Sequence, residues 1–432
     1  MSLTREQSLV VARQALFSGN PVLARAIASA LLQGNNADPY ALLIISVAET
    51  QLGNPGGGHV AGRAAWRSAR GMQDGLRYDI ARQTAVAAMR GGRVFPMQFW
   101  LRRALDVAPT PETRAQTIAD YRAVRERTKL KLSFSMSVTP SDNLNSGASG
   151  NLLIIDDRFL LGRLTGSAQA LSGVRTEVEG GLTYRILTTA KTATDIGLRL
   201  SFADYRLSTE ARLQAPDITS SNLDTARAEA NISSKFLWPG LNRPGRVGLA
   251  AGYIKEGRAD PAPFLRLEAS GQLVSNERWM LSVKAAGQRN WLNSDAVTAM
   301  TLGVEGSVLV GQGVLGLGLS VSDARGDAAN QDRRRTSLQI AYSHTRPLGP
   351  VSLSTGVMAA VTDYPTYLLG PVAVTKGRED RQQGIFVNMV FQDLGVMGYA
   401  PSLTLSNTRT SSNISRFSGS ETSVSIGIKS QF

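Results

Sequence analysis

From Lys129 to the end of the chain, apolar and polar residues alternate with a period of two. The stretch LKLSFSMSV, which begins at Leu130, places Leu, Phe, Met and Val on one parity and Lys and Ser on the other. The final residues, SETSVSIGIKSQF, repeat this pattern and end on Phe432. A period of two indicates β-strands with one apolar and one polar face. About 14 such segments can be counted, which predicts an extended antiparallel structure.

The charged residues of these segments fall on the polar parity through the middle of each strand. A lipid-facing arginine near the bilayer midplane costs about 2–4 kcal/mol, so a membrane barrel has to keep this register in every strand. A soluble β-sandwich would tolerate exceptions. We therefore predict a transmembrane β-barrel over residues 129–432. Its predicted lumen charges are Arg175, Glu177, Glu179, Arg185, Arg199, Glu268 and Glu305.

The connections between the predicted strands are of two kinds. Tight turns occur at Asn276–Glu277 and Gly311–Gly313, whereas PTYLLGPVAVTKGRED is a long polar connection. Short turns on one rim and long loops on the other are typical of bacterial outer-membrane barrels. Trp238, Trp279 and Trp291 lie near strand ends, where an aromatic girdle is expected. The last strand has to pair with the first to remove the open edge.

Residues 1–128 have a helical period instead, with apolar residues three and four positions apart. About seven helices are separated by Gly, Asn and Pro. The sequence Gly19-Asn20-Pro21 recurs 34 positions later as Gly53-Asn54-Pro55, and Gly91 follows after a further 38. This spacing resembles that of tetratricopeptide repeats, and an unrelated helical bundle is the alternative. The predicted domains are thus a helical domain at 1–128 and a barrel at 129–432.

Composition excludes several classes of function. The chain has no cysteine and two histidines, His59 and His344, so we expect no disulfides, no metal centre and no cofactor. The net charge of +13 is spread along the chain, and its densest cluster is Arg333–Arg335 at a predicted hairpin rim. We interpret this excess as attraction to anionic membrane surfaces or acidic partners and not to nucleic acid.

No catalytic constellation is recognisable, so the chain is predicted not to be an enzyme. GQGVLG precedes a strand, which argues against a phosphate-binding loop. His59 follows a glycine-rich stretch that we interpret as a turn between helices. Asp142 and Asn143 suggest either an Asx-turn at a strand end or, less simply, a calcium loop.

Two stretches add detail at the ends of the predicted barrel. The first strand runs into Pro140-Ser141-Asp142-Asn143-Leu144-Asn145, and GYAPSLTLSNTRTSSNI contains Pro401 and Asn413. With Phe432 at the end, these stretches resemble the Slam family of surface lipoprotein assembly modulators. That family has an N-terminal tetratricopeptide domain and a 14-stranded barrel. The resemblance covers the whole chain in architecture.

The resemblance implies an outer-membrane translocon with its helical domain in the periplasm of a Gram-negative bacterium. Its clients would be surface lipoproteins or secreted haem- or metal-scavenging proteins. Further expected partners are outer-membrane lipids, lipopolysaccharide and the barrel-assembly machinery, and a monomer is expected. A passive porin and an exopolysaccharide exporter are the alternatives. We recognise no signal peptide, which suggests a mature form or a mis-assigned start.

Overall fold

The computed structural model describes residues 3–156, 159–238, 240, 242–292 and 295–430. The chain divides into two compact units. A helical unit contains Met1–Thr128 together with Gly395–Tyr399, and a barrel unit contains Lys129–Leu394 and Ala400–Ser430. The division between Thr128 and Lys129 coincides with the change from a helical to an alternating period.

Seven helices precede the barrel. They are α1 Arg5–Phe17, α2 Pro21–Gly34, α3 Pro39–Gln51, α4 Pro55–Ser68, α5 Asp74–Arg90, α6 Val94–Asp106 and α7 Pro111–Arg127. Proline occupies the first helical position of α2, α3, α4 and α7, where its missing N–H costs no hydrogen bond. None of the helices in the described part of the chain is long and apolar enough to cross a bilayer.

The same turn joins three successive helix pairs. Gly19, Gly53 and Gly92 have φ values of 75°, 80° and 66°, which L-residues with a Cβ atom rarely adopt. The residue after each glycine donates its amide to a carbonyl five positions back, as in a Schellman motif. These bonds are Asn20 N to Ala15 O at 2.8 Å, Asn54 N to Glu49 O at 2.9 Å and Arg93 N to Ala88 O at 2.9 Å. The spacing in the sequence pointed to Gly91, but the third turn centres on Gly92.

Alanines dominate the core of the helical unit and allow close packing of the helices. Four alanines are completely buried, namely Ala12, Ala24, Ala28 and Ala41. Trp100 packs in a second buried cluster. His59 lies inside α4 and not in a turn, which corrects the sequence interpretation. Its Nε2 accepts a hydrogen bond from Trp100 Nε1 at 3.2 Å. Burial, with Arg63 and Arg93 nearby, lowers the pKa of His59, so it is a neutral core residue.

Fourteen strands form a closed antiparallel barrel, as the alternation predicted. Each strand pairs with its neighbours along the chain, and the first pairs with the last. The strands are β1 Leu130–Ser141, β4 Gly173–Thr188, β5 Thr192–Leu207, β6 Thr225–Leu237, β7 Pro244–Glu256, β8 Ala262–Ser275, β9 Trp279–Leu292, β10 Asp295–Val310, β11 Gly313–Gly326, β12 Arg333–His344, β13 Val351–Tyr364, β16 Arg378–Phe391, β17 Tyr399–Ser412 and β18 Gly419–Ser430.

The apolar parity faces outward and the polar parity faces the lumen. Leu200, Leu302 and Ile385 are 63%, 66% and 61% exposed on the apolar side. On the polar side, Arg266 of β8 reaches Glu229 of β6 at 2.8 Å, across the intervening β7. Neighbouring strands lie about 4.8 Å apart, so side chains two strands away meet most readily on the concave face. The polar parity therefore lines the interior.

The two rims differ in their connections. The rim at which β1 begins carries short turns and is here called the turn rim. The opposite loop rim carries the three longest connections, at 142–172, 208–224 and 365–377. These contain structure that the sequence did not predict, namely the hairpins of β2 Leu152–Ile155 with β3 Phe159–Arg163 and β14 Tyr367–Leu369 with β15 Val372–Val374, and the helix α8 Thr209–Gln214.

The separation of charges is less strict than expected, because several charged residues share the outward parity. Each of these lies within three residues of a strand end on the loop rim. At that depth the cost of a lipid-facing charge falls to about 0–1 kcal/mol, compared with 2–4 kcal/mol for Arg or Lys at the midplane. The register places on this parity Asp204, Arg206, Lys255, Arg289, Asp323, Arg325, Arg334, Asp363, Glu379, Arg381 and Arg409.

The tryptophans lie at strand ends, where the girdle was predicted. Trp279 begins β9, Trp291 lies one residue before its end, and Trp238 directly follows β6. The indole of Trp238 lies over Gly245 and Gly271 of the two next strands. A Cβ atom at Gly271 would approach Trp238 Nε1 to 2.7 Å, so glycine makes room for the ring.

We predict that Gly271→Val displaces the Trp238 ring and destabilises the barrel by about 1–3 kcal/mol through overpacking. The measurement is the temperature at which the folded barrel loses its heat-modifiable mobility in gel electrophoresis. Gly287→Val is the matched control, because a Cβ atom at Gly287 meets no atom within 4 Å. Equal unfolding temperatures of the two variants would contradict the prediction.

Candidate functional site in the barrel lumen

One wall of the lumen carries a ladder of ion pairs. Arg175 lies 3.6 Å from Glu177, and Arg199 lies 3.3 Å from Glu179. Arg185 donates two hydrogen bonds to Asp195, at 2.6 and 3.0 Å. All seven residues named from the sequence as lumen charges lie on this wall, between β4 and β10. The remaining members are Arg246 with Glu268 at 3.4 Å, Arg266 with Glu268 at 3.7 Å, and Lys284 with Glu305.

Glu229 is the centre of this ladder, although the sequence did not single it out. Its carboxylate is 4% exposed and accepts hydrogen bonds from Arg227 and Arg266, both at 2.8 Å. β7 lies between the strands of Glu229 and Arg266, and it presents Gly248, Ala250 and Gly252 to the lumen. These small residues leave space for the side chains that cross above them. The alternation of Arg227 and Glu229 was visible in the sequence, but their partner Arg266 depends on register.

The wall that adjoins this ladder at β4, on β17, β18 and β1, is lined mainly by hydroxyl groups. Ser and Thr occupy most lumen positions of β1 and β17 and the middle of β18, and they bond to one another. Thr139 Oγ1 donates to Ser425 Oγ at 2.8 Å, and the hydroxyls of Ser406 and Ser423 are 2.7 Å apart. The lumen residues of this hydroxyl wall are Ser133, Ser135, Ser137, Thr139, Ser402, Thr404, Ser406, Ser423 and Ser425.

A chamber of about 450 Å³ lies at the loop rim of the lumen. Four arginines line it, whereas Asp380 and Glu421 are its acidic residues. Arg378 pairs with Asp380 at 2.6 Å, and Arg335 donates to Thr362 and Gln382. The other two arginines are Arg333 and Arg416.

Arg416 contributes to the chamber a positive charge that no described carboxylate balances. Burial, together with the nearby Arg378, lowers its pKa, and among the described residues no carboxylate pairs with it. The chamber can therefore receive an anionic group. Arg333 and Arg335 face this chamber, whereas Arg334 faces outward and pairs with Asp323 at 3.0 Å. The arginine cluster is thus split between the two faces and is not simply a solvated rim.

The motif residues Asn143 and Asn145 hold the first long loop over the lumen. Asn143, 4% exposed, donates to Gly147 O and Ser420 O at 3.0 and 2.9 Å and accepts from Gly147 N at 2.7 Å. Asn145 donates to Ser167 O and Gln169 O, at 2.9 and 3.0 Å, and accepts from Leu171 N at 2.9 Å. Both amides therefore use donor and acceptor sides at once to join segments distant in sequence.

The structure brings the two motif stretches together at the loop rim. Asp142 Oδ1 accepts from Thr422 N at 2.8 Å. Asn413 accepts from Glu379 N at 2.8 Å and donates to Asp156 and Gly377. Backbone amides thus occupy Asp142 Oδ1 and Asn143 Oδ1, but neither bond has the two-residue span of an Asx-turn. No group of three potential metal ligands occurs in the ranges that the structure describes.

The remaining motif residues lie apart from this cluster. Pro140 is in β1, opposite Val174, and Pro401 is near the start of β17 at the turn rim. Phe432 lies outside the described residues.

No protein-family model matches the sequence, and no curated protein matches it either. Similar solved structures include OmpT of Vibrio cholerae, at 9% identity, with 69% of this chain and 97% of that chain covered and a TM-score of 0.34. An anion-selective porin from Comamonas acidovorans has 12% identity, covering 69% and 98%, with a TM-score of 0.36. A bacterial polysaccharide outer membrane secretin has the same identity, the same two coverages and the same TM-score. The closure of the sheet and its apolar outer face give this chain the fold of an outer-membrane type of β-barrel preceded by helices.

We predict that Asn143→Ala loosens the loop at 142–172, because it leaves buried backbone groups of Gly147 and Ser420 unsatisfied. Each such group costs about 1–3 kcal/mol. The measurement is the rate of trypsin cleavage after Arg163 in the folded barrel, which should increase several-fold. Asn388→Ala is the control, because that side chain makes one bond, to Thr404 at 3.2 Å. An unchanged cleavage rate in Asn143→Ala would refute this role.

Proposed function

We propose that this chain is a non-enzymatic outer-membrane translocon that moves surface lipoproteins or secreted scavenging proteins from the periplasm to the cell surface. The helical unit would capture the client in the periplasm, and the barrel would provide its path. The observation that carries the proposal is the weak seam at which the barrel closes, between β1 and β18.

The seam has far fewer residues in register than the other edge of the same strand. Between described residues, four pairs join β1 to β18, whereas twelve join β1 to β4. Thr139 and Pro140 have no registered partner on β18, although the register is the same on both sides of them. Proline has no N–H to donate to a neighbouring strand. We therefore infer that the closing edge opens more readily than the β1–β4 edge.

The seam also lies in the hydroxyl wall, which adjoins the ladder of ion pairs at β4. The ladder fills its side of the lumen with long charged side chains, which leaves little room for a folded domain. The hydroxyl wall has short side chains, and each can donate and accept a hydrogen bond. We therefore favour an extended client that follows the hydroxyl wall and leaves through the seam.

The three repeated turns of the helical unit support a stack of tetratricopeptide-like pairs. Such stacks form extended surfaces that bind peptide segments. Two residues separate the end of α7 at Arg127 from the start of β1 at Leu130, and β1 begins at the rim with short turns. Short turns are periplasmic in outer-membrane barrels, which favours a periplasmic helical unit. We further propose that the protein works as a monomer among outer-membrane lipids and lipopolysaccharide, after insertion by the barrel-assembly machinery.

The direct test is co-expression with the secreted proteins encoded beside it, followed by protease treatment of intact cells. We expect a client to become protease-accessible at the surface only when this chain is present. Liposome swelling with small sugars provides the contrast, because a passive porin would admit sugars without exposing any client. Rapid swelling combined with no surface exposure of any neighbouring protein would rule out the translocon.

We predict that a disulfide across the seam blocks client exposure. The pair Ser137→Cys with Gly427→Cys suits this, because a Cβ atom at Gly427 would lie 3.2 Å from Ser137 Cβ. Export should fall about tenfold when the bond forms and recover on reduction, an expectation equivalent to about 1.4 kcal/mol. The native chain has no cysteine to interfere.

The matched control is Ser133→Cys with Gly181→Cys, which cross-links β1 to β4. A Cβ atom at Gly181 would lie 3.8 Å from Ser133 Cβ, so this bond is equally feasible. It leaves the seam free and should not affect export. Equal export by the locked and reduced seam variants would exclude the seam route while leaving a route through the lumen.

A further inference from the structure

An apolar groove of about 460 Å³ runs along the outer wall of the barrel on β12, β13, β16 and β17. Two adjacent rows of outward residues form it. In the row nearer the loop rim, Leu338, Ala359, Gln383 and Arg409 lie side by side. In the next row, toward the middle of the wall, are Ile340, Val357, Ile385 and Asn407. The groove thus has a polar end at β17 and an apolar floor.

Arg409 differs from the other outward arginines of this region. Arg325 and Arg334 pair with Asp323 at 2.8 and 3.0 Å, and Arg381 pairs with Glu379 at 2.6 Å. Arg409 is exposed and has no ion-pair or hydrogen-bond partner among the residues that the structure describes. It lies three residues from the end of β17, about 10 Å from the rim at the rise of a strand.

A lone arginine on a lipid-facing wall requires an anionic partner or water. At this depth the membrane itself supplies phosphate groups, and the guanidinium binds phosphate through paired hydrogen bonds. The side-chain amides of Gln383 and Asn407 lie beside Arg409 and add polar groups to this end of the groove. Below them, Ile340, Val357 and Ile385 offer the apolar surface that an acyl chain covers.

We propose that this groove is a binding site for a phosphorylated membrane lipid, with its phosphate on Arg409 and one acyl chain on the apolar floor. The site depends on the barrel lying in a membrane and not on export of a client. It lies one strand away from the seam, because β17 pairs with β18. A lipid held there would occupy the outer wall beside the closing edge.

The experiment is native mass spectrometry of the full-length protein released from detergent micelles doped with lipid A. We expect the wild type to retain lipid A and Arg409→Gln to retain about tenfold less, as expected for one charge-assisted contact. Arg325→Gln is the matched control, because this outward arginine lies away from the groove. Ala359→Leu should also reduce retention, since it fills the floor of the groove while keeping Arg409.

Three results would overturn the proposal. The first is equal retention by Arg409→Gln and wild type. The second is equal retention of a phosphate-free triacylated lipopeptide, which would mark an acyl site that does not recognise phosphate. The third is displacement of lipid A by inorganic phosphate, which would indicate a site for the free ion. Heat-modifiable mobility of each variant verifies that the barrel is folded.

Discussion

Closure of the sheet between β1 and β18 is the constraint on which the rest of the barrel depends. In hydrocarbon every backbone N–H and C=O has to find a partner within the protein, and an open sheet edge would leave a row of them unpaired. Twelve registered pairs tie β1 to β4, but four tie it to β18 among described residues. Among described residues, the interaction that completes the barrel thus has fewer registered pairs than the other edge of β1, and in the proposed route it is the edge that opens.

The inward face of the barrel consists of two walls with different side-chain chemistry. The ion-pair ladder from β4 to β10 gives one wall long, mutually paired side chains, with Glu229 bridging Arg227 and Arg266. The hydroxyl wall beside the seam has short side chains and no such ladder. The loops above add a third element, in which Asn143, Asn145 and Asn413 fasten distant segments to one another and close over a cationic chamber.

Local patterns were sufficient to predict the helices, the 14 strands, the direction of Arg199 or Glu305 and the difference between the rims. They were insufficient wherever register decides the contact. Arg266 meets Glu229 across a strand, and the outward row of Gln383 and Arg409 exists only because four strands align in one way. The asparagine motif could be recognised, but its partners at Ser420 and Gln169 could not be named from sequence.

The chemistry of the hydroxyl wall has a consequence for selectivity. A serine hydroxyl rotates freely and serves as donor or acceptor, so it interacts with almost any backbone or polar side chain to a similar extent. A surface of such groups lets a chain exchange one contact for the next without a preferred resting place, and it cannot distinguish one polypeptide from another. If a client passes along it, the choice of client has to be made before that passage, by groups that bind in a defined geometry.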